Sequence, residues 1–166
     1  MATERGSSGD GWVRCAQGHR HWGRYGAAGL LLTDADDVLL AHRVYWSHHG
    51  NTWGIPGGAR DSAESAVATA LREAAEETGL DPVDVVVGEA TVDDHGGWSY
   101  TTVQVTLAGP RPELAPLDGE ATELRWVPVA GVIDLELHPG FAAYWAERPA
   151  RSHGRGRPTS RNPGPR

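Results

Sequence analysis

Residues 72–77 read REAAEE, and what chemistry they could do lies in their spacing. On a helix, Glu73, Glu76 and Glu77 stand at i, i+3 and i+4, so three carboxylates share one face. Like charges placed this way repel by roughly 0.2–0.5 kcal/mol per pair. The run also lies toward a helix C-terminus, where the macrodipole disfavours anions. A hard divalent cation relieves both penalties, because Mg2+ and Mn2+ prefer carboxylate oxygen. The bland alternative is a solvated helix face on which Arg72 and Glu76 make an ordinary i,i+4 ion pair.

The element that must position these groups is legible in residues 58–80, GARDSAESAVATALREAAEETGL. Asp61 and Glu64 form a D-x-x-E analogue of a capping box, Ala and Leu dominate the run after it, and Gly79 is placed to end the helix in a left-handed cap. Val67, Ala70, Leu71, Ala74 and Thr78 fall on one stripe and are expected to face a sheet. Around this helix the apolar runs 26–33 and 38–44 read as a hairpin whose turn is made of acids, and 52–59 as a short strand stopped by Pro56 and a glycine pair. The Val- and Thr-rich runs 84–92 and 100–108 read as strands around the turn DDHGGWS, with a further strand at 123–129 and a short closing helix in HPGFAAYWAERP. Hairpins without strict strand–helix alternation imply a mixed sheet flanked by helices.

At 166 residues the chain has the length of one domain. Three segments are expected: a partly flexible stretch at 1–24, a folded domain at 25–147 and a basic Pro/Gly/Arg tail at 148–166. The net charge of −7 hides a division, since six of the 15 arginines lie from Arg148 onward with no acid among them, while residues 1–147 hold nine arginines against 22 acids. An acidic body argues against binding nucleic acid through a basic face, and the tail composition reads as disordered. No run approaches the roughly 18 apolar residues of a membrane span, and the N-terminus lacks the apolar run of a secretory signal, so a cytoplasmic protein is expected. The lone cysteine, Cys15, excludes an internal disulfide framework. With His19 and His21 it imitates a metal site, yet the spacing fits no known zinc module and a structural role is the reading taken.

The residues Gly58, Glu64, Arg72, Glu73, Ala74, Glu76, Glu77, Gly79 and Leu80 fit the pattern G-x5-E-x7-R-E-U-x-E-E-x-G-U, where U is an aliphatic residue. This resembles the Nudix box. WGIPGG before it and the W-V-P of RWVPV after it also resemble the Nudix hydrolase family, so the likeness spans roughly residues 25–147. The one soft departure is Ala74, where a larger aliphatic is usual.

The resemblance implies an α/β fold, an α/β/α sandwich with a mixed β-sheet. It implies Mg2+- or Mn2+-dependent hydrolysis of a nucleoside diphosphate linked to another moiety, with a nucleotide-type small molecule as partner, and it admits a homodimer. Glu73, Glu76 and Glu77 match the metal-ligand positions, with a carbonyl from Gly57 or Gly58 beside them. Arg72 is expected to orient a ligand carboxylate, and Glu64 either caps the helix or supports the ligands from behind. Glu120, six residues before Trp126, is the expected additional ligand or general base, with Glu123 held in reserve. Arg43 could reach a phosphate, and Trp46, Trp98 and Tyr100 could stack on a base, although core packing accounts for such aromatics equally well. The chain is most like the branch that cleaves nucleoside triphosphates, oxidised ones included, to monophosphate and pyrophosphate. ADP-ribose, nucleotide sugars and dinucleoside polyphosphates stay open as substrates, as does a nucleotide-binding regulatory module without turnover.

Overall fold

The structure, a computed structural model, describes residues 7–148; beyond Arg148 the expected tail lies outside them. The acid-rich turn closes as expected. Strands β3 (Ala27–Asp34) and β4 (Asp37–Arg43) pair antiparallel, and Ala35 turns the corner at φ 50°. Asp34 and Asp37 face each other across that turn, and Arg111 bridges both carboxylates at 2.7 Å each.

The short strand expected to stop at Pro56 does so, and a second strand, not expected, follows through the glycine pair. Trp53–Gly54 (β5) pairs with β4, whereas Gly57–Ala59 (β6) crosses to β3. Pro56, which has no N–H to donate, sits at the break, and its carbonyl accepts from Leu30. Strands β7 (Val85–Asp94) and β8 (Ser99–Leu107) form the second large hairpin, and β9 (Ala121–Pro128) lies antiparallel to β4. The pairing of β3 with β8 is parallel while its neighbours are antiparallel, so the seven-stranded sheet is mixed.

Helices α1 (Ala66–Thr78) and α2 (Pro139–Glu147) cover opposite faces of the sheet. The period-2 alternation of β3 shows how the faces divide. Ala28, Leu30 and Leu32 pack with Ala70 and Ala74 of α1, while Leu31 joins Leu40, Phe141 and Trp145 on the α2 side. The expected stripe on α1 is the one that faces the sheet, with Thr69 added to it: Thr69, Ala70, Ala74 and Thr78 are buried, and Val67 and Leu71 pack at its margin. This is the α/β sandwich that the sequence implied.

The N-terminal stretch 1–24, expected to be partly flexible, contains a hairpin. Trp12–Arg14 (β1) and Arg20–Trp22 (β2) pair antiparallel outside the main sheet. Three-residue strands bounded by glycine carry too little periodicity to stand out in the sequence. No helix among the described residues is long and apolar enough to cross a membrane.

Candidate active site

Helix α1 begins one turn later than the sequence pattern implies. Ser65 is its cap, at φ −76° and ψ 155°, and its hydroxyl accepts from the Ala68 N–H at 3.1 Å. The Asp61 side chain accepts from the Gly9 N–H at 2.9 Å and not from the Glu64 N–H, so only the other half of the expected capping box forms, a 3.5 Å bond from the Asp61 N–H to the Glu64 carboxylate. Arg72 donates to it through Nε and Nη2, both at 2.9 Å, and the Thr69 hydroxyl adds a third bond at 2.8 Å. The bidentate charged pair is the strongest hold on these oxygens, and the long Asp61 bond the weakest. Arg72 holds the Glu64 carboxyl down at about 2, against the opposing effect of burial. At the other end, Gly79 adopts φ 78° and returns its N–H to the Ala75 carbonyl, the left-handed cap that its position implied.

Arg72 also reaches past Glu64. It donates to Glu73 at 2.6 Å and to the Ala59 carbonyl at 3.2 Å, and lies 3.6 Å from Glu76. One guanidinium thus ties the helix to the loop before it and fixes Glu73 against that loop. The site depends on Gly58 for the same reason: a Cβ there would stand 2.5 Å from the Glu73 carboxyl carbon.

The three glutamates of α1 have different surroundings. Glu76 is 61% exposed, whereas the Glu73 side chain is 17% exposed and burial raises its pKa despite the neighbouring Arg72. Glu77 accepts from the Gly57 N–H at 3.3 Å and lies with Asp118 and Glu120 so that one oxygen from each falls within 4.8 Å of the others. Burial first, then Asp118, Glu73 and Glu120, push the Glu77 carboxyl up to about 9. The structure therefore brings Glu120 to the cluster from a loop 43 positions beyond Glu77. Glu123, the reserve residue, stays out and pairs with Arg125 at 2.7 Å.

Asp118 is the member that the sequence reading lacks. In the LDGE stretch it bonds the Glu120 N–H at 3.0 Å, an Asx turn that the residues Asp-Gly foreshadow without indicating what the turn faces. The donor set is all oxygen and multiply anionic, which fits Mg2+ or Mn2+ and suits neither Cu+ nor a thiolate-seeking ion.

Beside these carboxylates runs a cleft of about 1040 Å³ whose lining includes Glu73, Asp118, Glu120 and Gly58. Arg43, Trp98 and Tyr100 also line it, as does Trp46, which is 69% exposed. Trp98 is not a bare stacking platform, since one face is covered by His21 at 3.9 Å and an interplanar angle of 9°. Tyr100 is half-buried with its hydroxyl against Gly29, in the space a side chain there would need, and desolvation with the nearby Glu77 raises its pKa. The first hairpin adds Trp12 and Trp22, a cross-strand pair 5.5 Å apart that sequence spacing alone did not connect to the site.

His138 closes another part of the lining. Its Nδ1 accepts from the Gly140 N–H at 3.2 Å and so caps α2, a role that only the neutral ring can fill. Burial, then Arg43, His49 and His48, lower its pKa from 6.5 to about 4. An unfolded chain binds this proton between pH 6.5 and 4 while the folded chain does not, so the contribution to stability is complete above 6.5 and is lost as pH falls through that window. His138→Asn keeps a capping oxygen without titrating. Urea unfolding from pH 7 to 4 is expected to give a shallower loss of stability for the variant than for the wild type; parallel curves would contradict this reading.

Comparison with known proteins places this geometry. A family model described as the NUDIX domain matches residues 23–148. Over 148 residues the chain is 51% identical to a Mycobacterium tuberculosis protein named "Putative 8-oxo-dGTP diphosphatase 3", an alignment covering 82% of this chain and 67% of that protein. It is 42% identical over 151 residues to a Bifidobacterium longum "Nucleoside triphosphate pyrophosphatase/Nudix hydrolase fusion protein", covering 86% of this chain and 31% of the fusion. A crystal structure of a Nudix hydrolase from M. smegmatis, RenU, superimposes with a TM-score of 0.77 at 47% identity, over 83% of this chain and 91% of that one.

Proposed function

The chain belongs to the Nudix family of pyrophosphohydrolases, and from that premise we propose that it hydrolyses a nucleoside triphosphate, oxidised ones included, to the nucleoside monophosphate and pyrophosphate with Mg2+ or Mn2+. The observation that carries this reading is the carboxylate group of Glu77, Asp118 and Glu120, with Glu73 beside it, along an aromatic-lined cleft. The mycobacterial relative's name, an 8-oxo-dGTP diphosphatase, supports the choice of a purine triphosphate within the family.

Glu73, Glu76, Glu77 and Glu120 would hold the ion, with Asp118 added from the loop and the Gly58 carbonyl alongside. Such an ion, when bound, neutralises phosphate charge and makes water a better nucleophile. Arg72 keeps the Glu73 carboxylate aimed and rigid. Glu120 accepts the proton of the attacking water, a role for which Glu123, paired to Arg125, is poorly placed. Water oxygen forms the new bond to phosphorus, the bond from that phosphorus to the bridging oxygen breaks, and the two phosphate halves leave separately. Arg43 and Arg20 supply positive charge along a cleft that also carries carboxylates, and Trp46 with the Trp12–Trp22 pair offers ring faces for a base.

The test is kcat/KM on 8-oxo-dGTP, ordinary nucleoside triphosphates, ADP-ribose, a dinucleoside polyphosphate and a nucleotide sugar, with the products identified. A triphosphate is expected to be the best substrate, with pyrophosphate and not orthophosphate as the second product. Preference for ADP-ribose, a sugar nucleotide or a dinucleoside polyphosphate would replace the proposed substrate. Ion-independent nucleotide binding with no turnover would remove the catalytic reading altogether.

A further inference from the structure

A second set of ligating side chains gathers away from the carboxylates, where the first hairpin meets the turn between β7 and β8. The loop from β1 to β2 supplies Cys15 and His19, β2 itself supplies His21, and the distant turn supplies His95. One ligand atom from each of the four lies within 4.8 Å of all the others. Around one tetrahedral ion with bonds of roughly 2.0–2.3 Å, ligand atoms stand roughly 3.3–3.8 Å apart. Side-chain settling of about an ångström closes the difference.

The backbone is shaped for the same purpose. Cys15 N–H donates to the His19 carbonyl at 3.0 Å and Gly18 N–H to the Cys15 carbonyl at 2.9 Å, closing a tight loop around the buried thiol. Ala16 N–H donates to the Gly96 carbonyl at 2.8 Å, which fastens that loop to the turn carrying His95. The rings point to a ligand as well. His95 holds Asp93 through Nε2 at 2.9 Å, which leaves its Nδ1 for another partner. That Nδ1 and the Nε2 of His21 are both buried, and neither has a hydrogen-bond partner among the described residues. Two buried, unpartnered ring nitrogens in one cluster are costly, and a shared cation accounts for both. A carboxylate on the far nitrogen of a ligating histidine is the usual support for such a site.

We propose that Cys15, His19, His21 and His95 bind a structural Zn2+ that staples the N-terminal hairpin to the β7–β8 turn. Thiolate and imidazole donors select zinc over Mg2+ and Mn2+, whereas the all-oxygen group around Glu77 selects the opposite way, so the two sites are chemically distinct. Sequence spacing could not reveal this one, because its fourth ligand lies 74 positions beyond the third. The staple also fixes the cleft wall, since His21 stacks on Trp98 and the hairpin carries Trp12 and Trp22. The inference stands independently of which nucleotide is cleaved.

The test uses the full chain, isolated without chelators and dialysed against buffer containing excess Mg2+. Elemental analysis is expected to find about one Zn2+ per chain. With Co2+ in place of zinc, the wild type is expected to show tetrahedral visible bands together with a thiolate-to-cobalt band in the near ultraviolet. Carboxylate-bound Co2+ cannot give the second band, so ion in the acidic site is not mistaken for this one. Cys15→Ser is expected to abolish the thiolate band, and His95→Ala to bring zinc content well below stoichiometric. A folded wild type that takes up no zinc, or whose Co2+ spectrum lacks the thiolate band, overturns the proposal without recourse to any variant. Zinc content and Co2+ spectrum unchanged in both variants overturn it equally.

Discussion

Glu77→Gln is expected to lower kcat by at least about 10²–10³-fold, the scale seen when one group that stabilises developing charge is removed, while leaving the fold intact. Glu77 faces Asp118 and Glu120 and accepts from the Gly57 N–H. With no ion beside it, burial and its acidic neighbours hold this carboxyl up to about 9, so at neutral pH glutamine is close to it in shape and charge. Thermal melting without divalent ions should therefore differ little between the two proteins. The contrast appears once Mg2+ or Mn2+ is added, because an amide offers an ion no negative charge. The wild type should gain melting temperature with ion concentration, as a fold-specific ligand requires, and the variant should gain much less. Full turnover in the variant would remove Glu77 from the ion-binding group.

The largest loss of stability is expected at Arg72. Its guanidinium makes two bonds to Glu64, one to Glu73 and one to the Ala59 carbonyl, and both carboxylates are only 17% exposed. Removing one partner of a largely buried ionic group strands the others, at about 3 kcal/mol. Arg72→Ala should cost about that much in urea unfolding, and turnover should fall as well because Glu73 loses what aims it. Arg72→Lys restores the charge without the planar fork, so it is expected to recover part of the stability and little of the geometry. A loss below about 0.5 kcal/mol for Arg72→Ala, the level of an exposed pair, would contradict the network described here.

The range of the interactions decides which features are legible in the chain. The stripe Val67, Ala70, Leu71, Ala74 and Thr78, the left-handed Gly79 and the acid-rich β3–β4 turn depend on neighbours within a few residues, and each is found as expected. The Nudix-box spacing also located Glu73 and Gly58, which the fold brings into contact. Local pattern misplaced the helix start, because the Asp61 side chain turns to the distant Gly9 N–H and leaves Ser65 to cap α1, while Glu64 is held chiefly by Arg72 eight residues ahead. It also missed β6, where the glycine pair read as a stop and only pairing with β3 makes the strand. Asp118 and His95 were beyond reach for a different reason: each enters its cluster from a turn far along the chain, and only the sheet topology makes them neighbours. The reading of Cys15, His19 and His21 as a merely imitative group rested on spacing within the hairpin, where a ligand from elsewhere leaves no trace.

On the proposed reading, the carboxylates of α1 and the 118–120 loop hold the ion on which pyrophosphate hydrolysis depends. The most direct test of this is the rate of nucleoside monophosphate release from the best substrate of the panel as Mg2+ or Mn2+ is added back to protein dialysed free of both, with Glu77→Gln beside the wild type. Negligible release is expected before addition, then a saturable rise in the wild type and a rise in the variant that is weaker and shifted to higher ion concentration. Undiminished release with both ions absent, or identical curves for the two proteins, would contradict that reading.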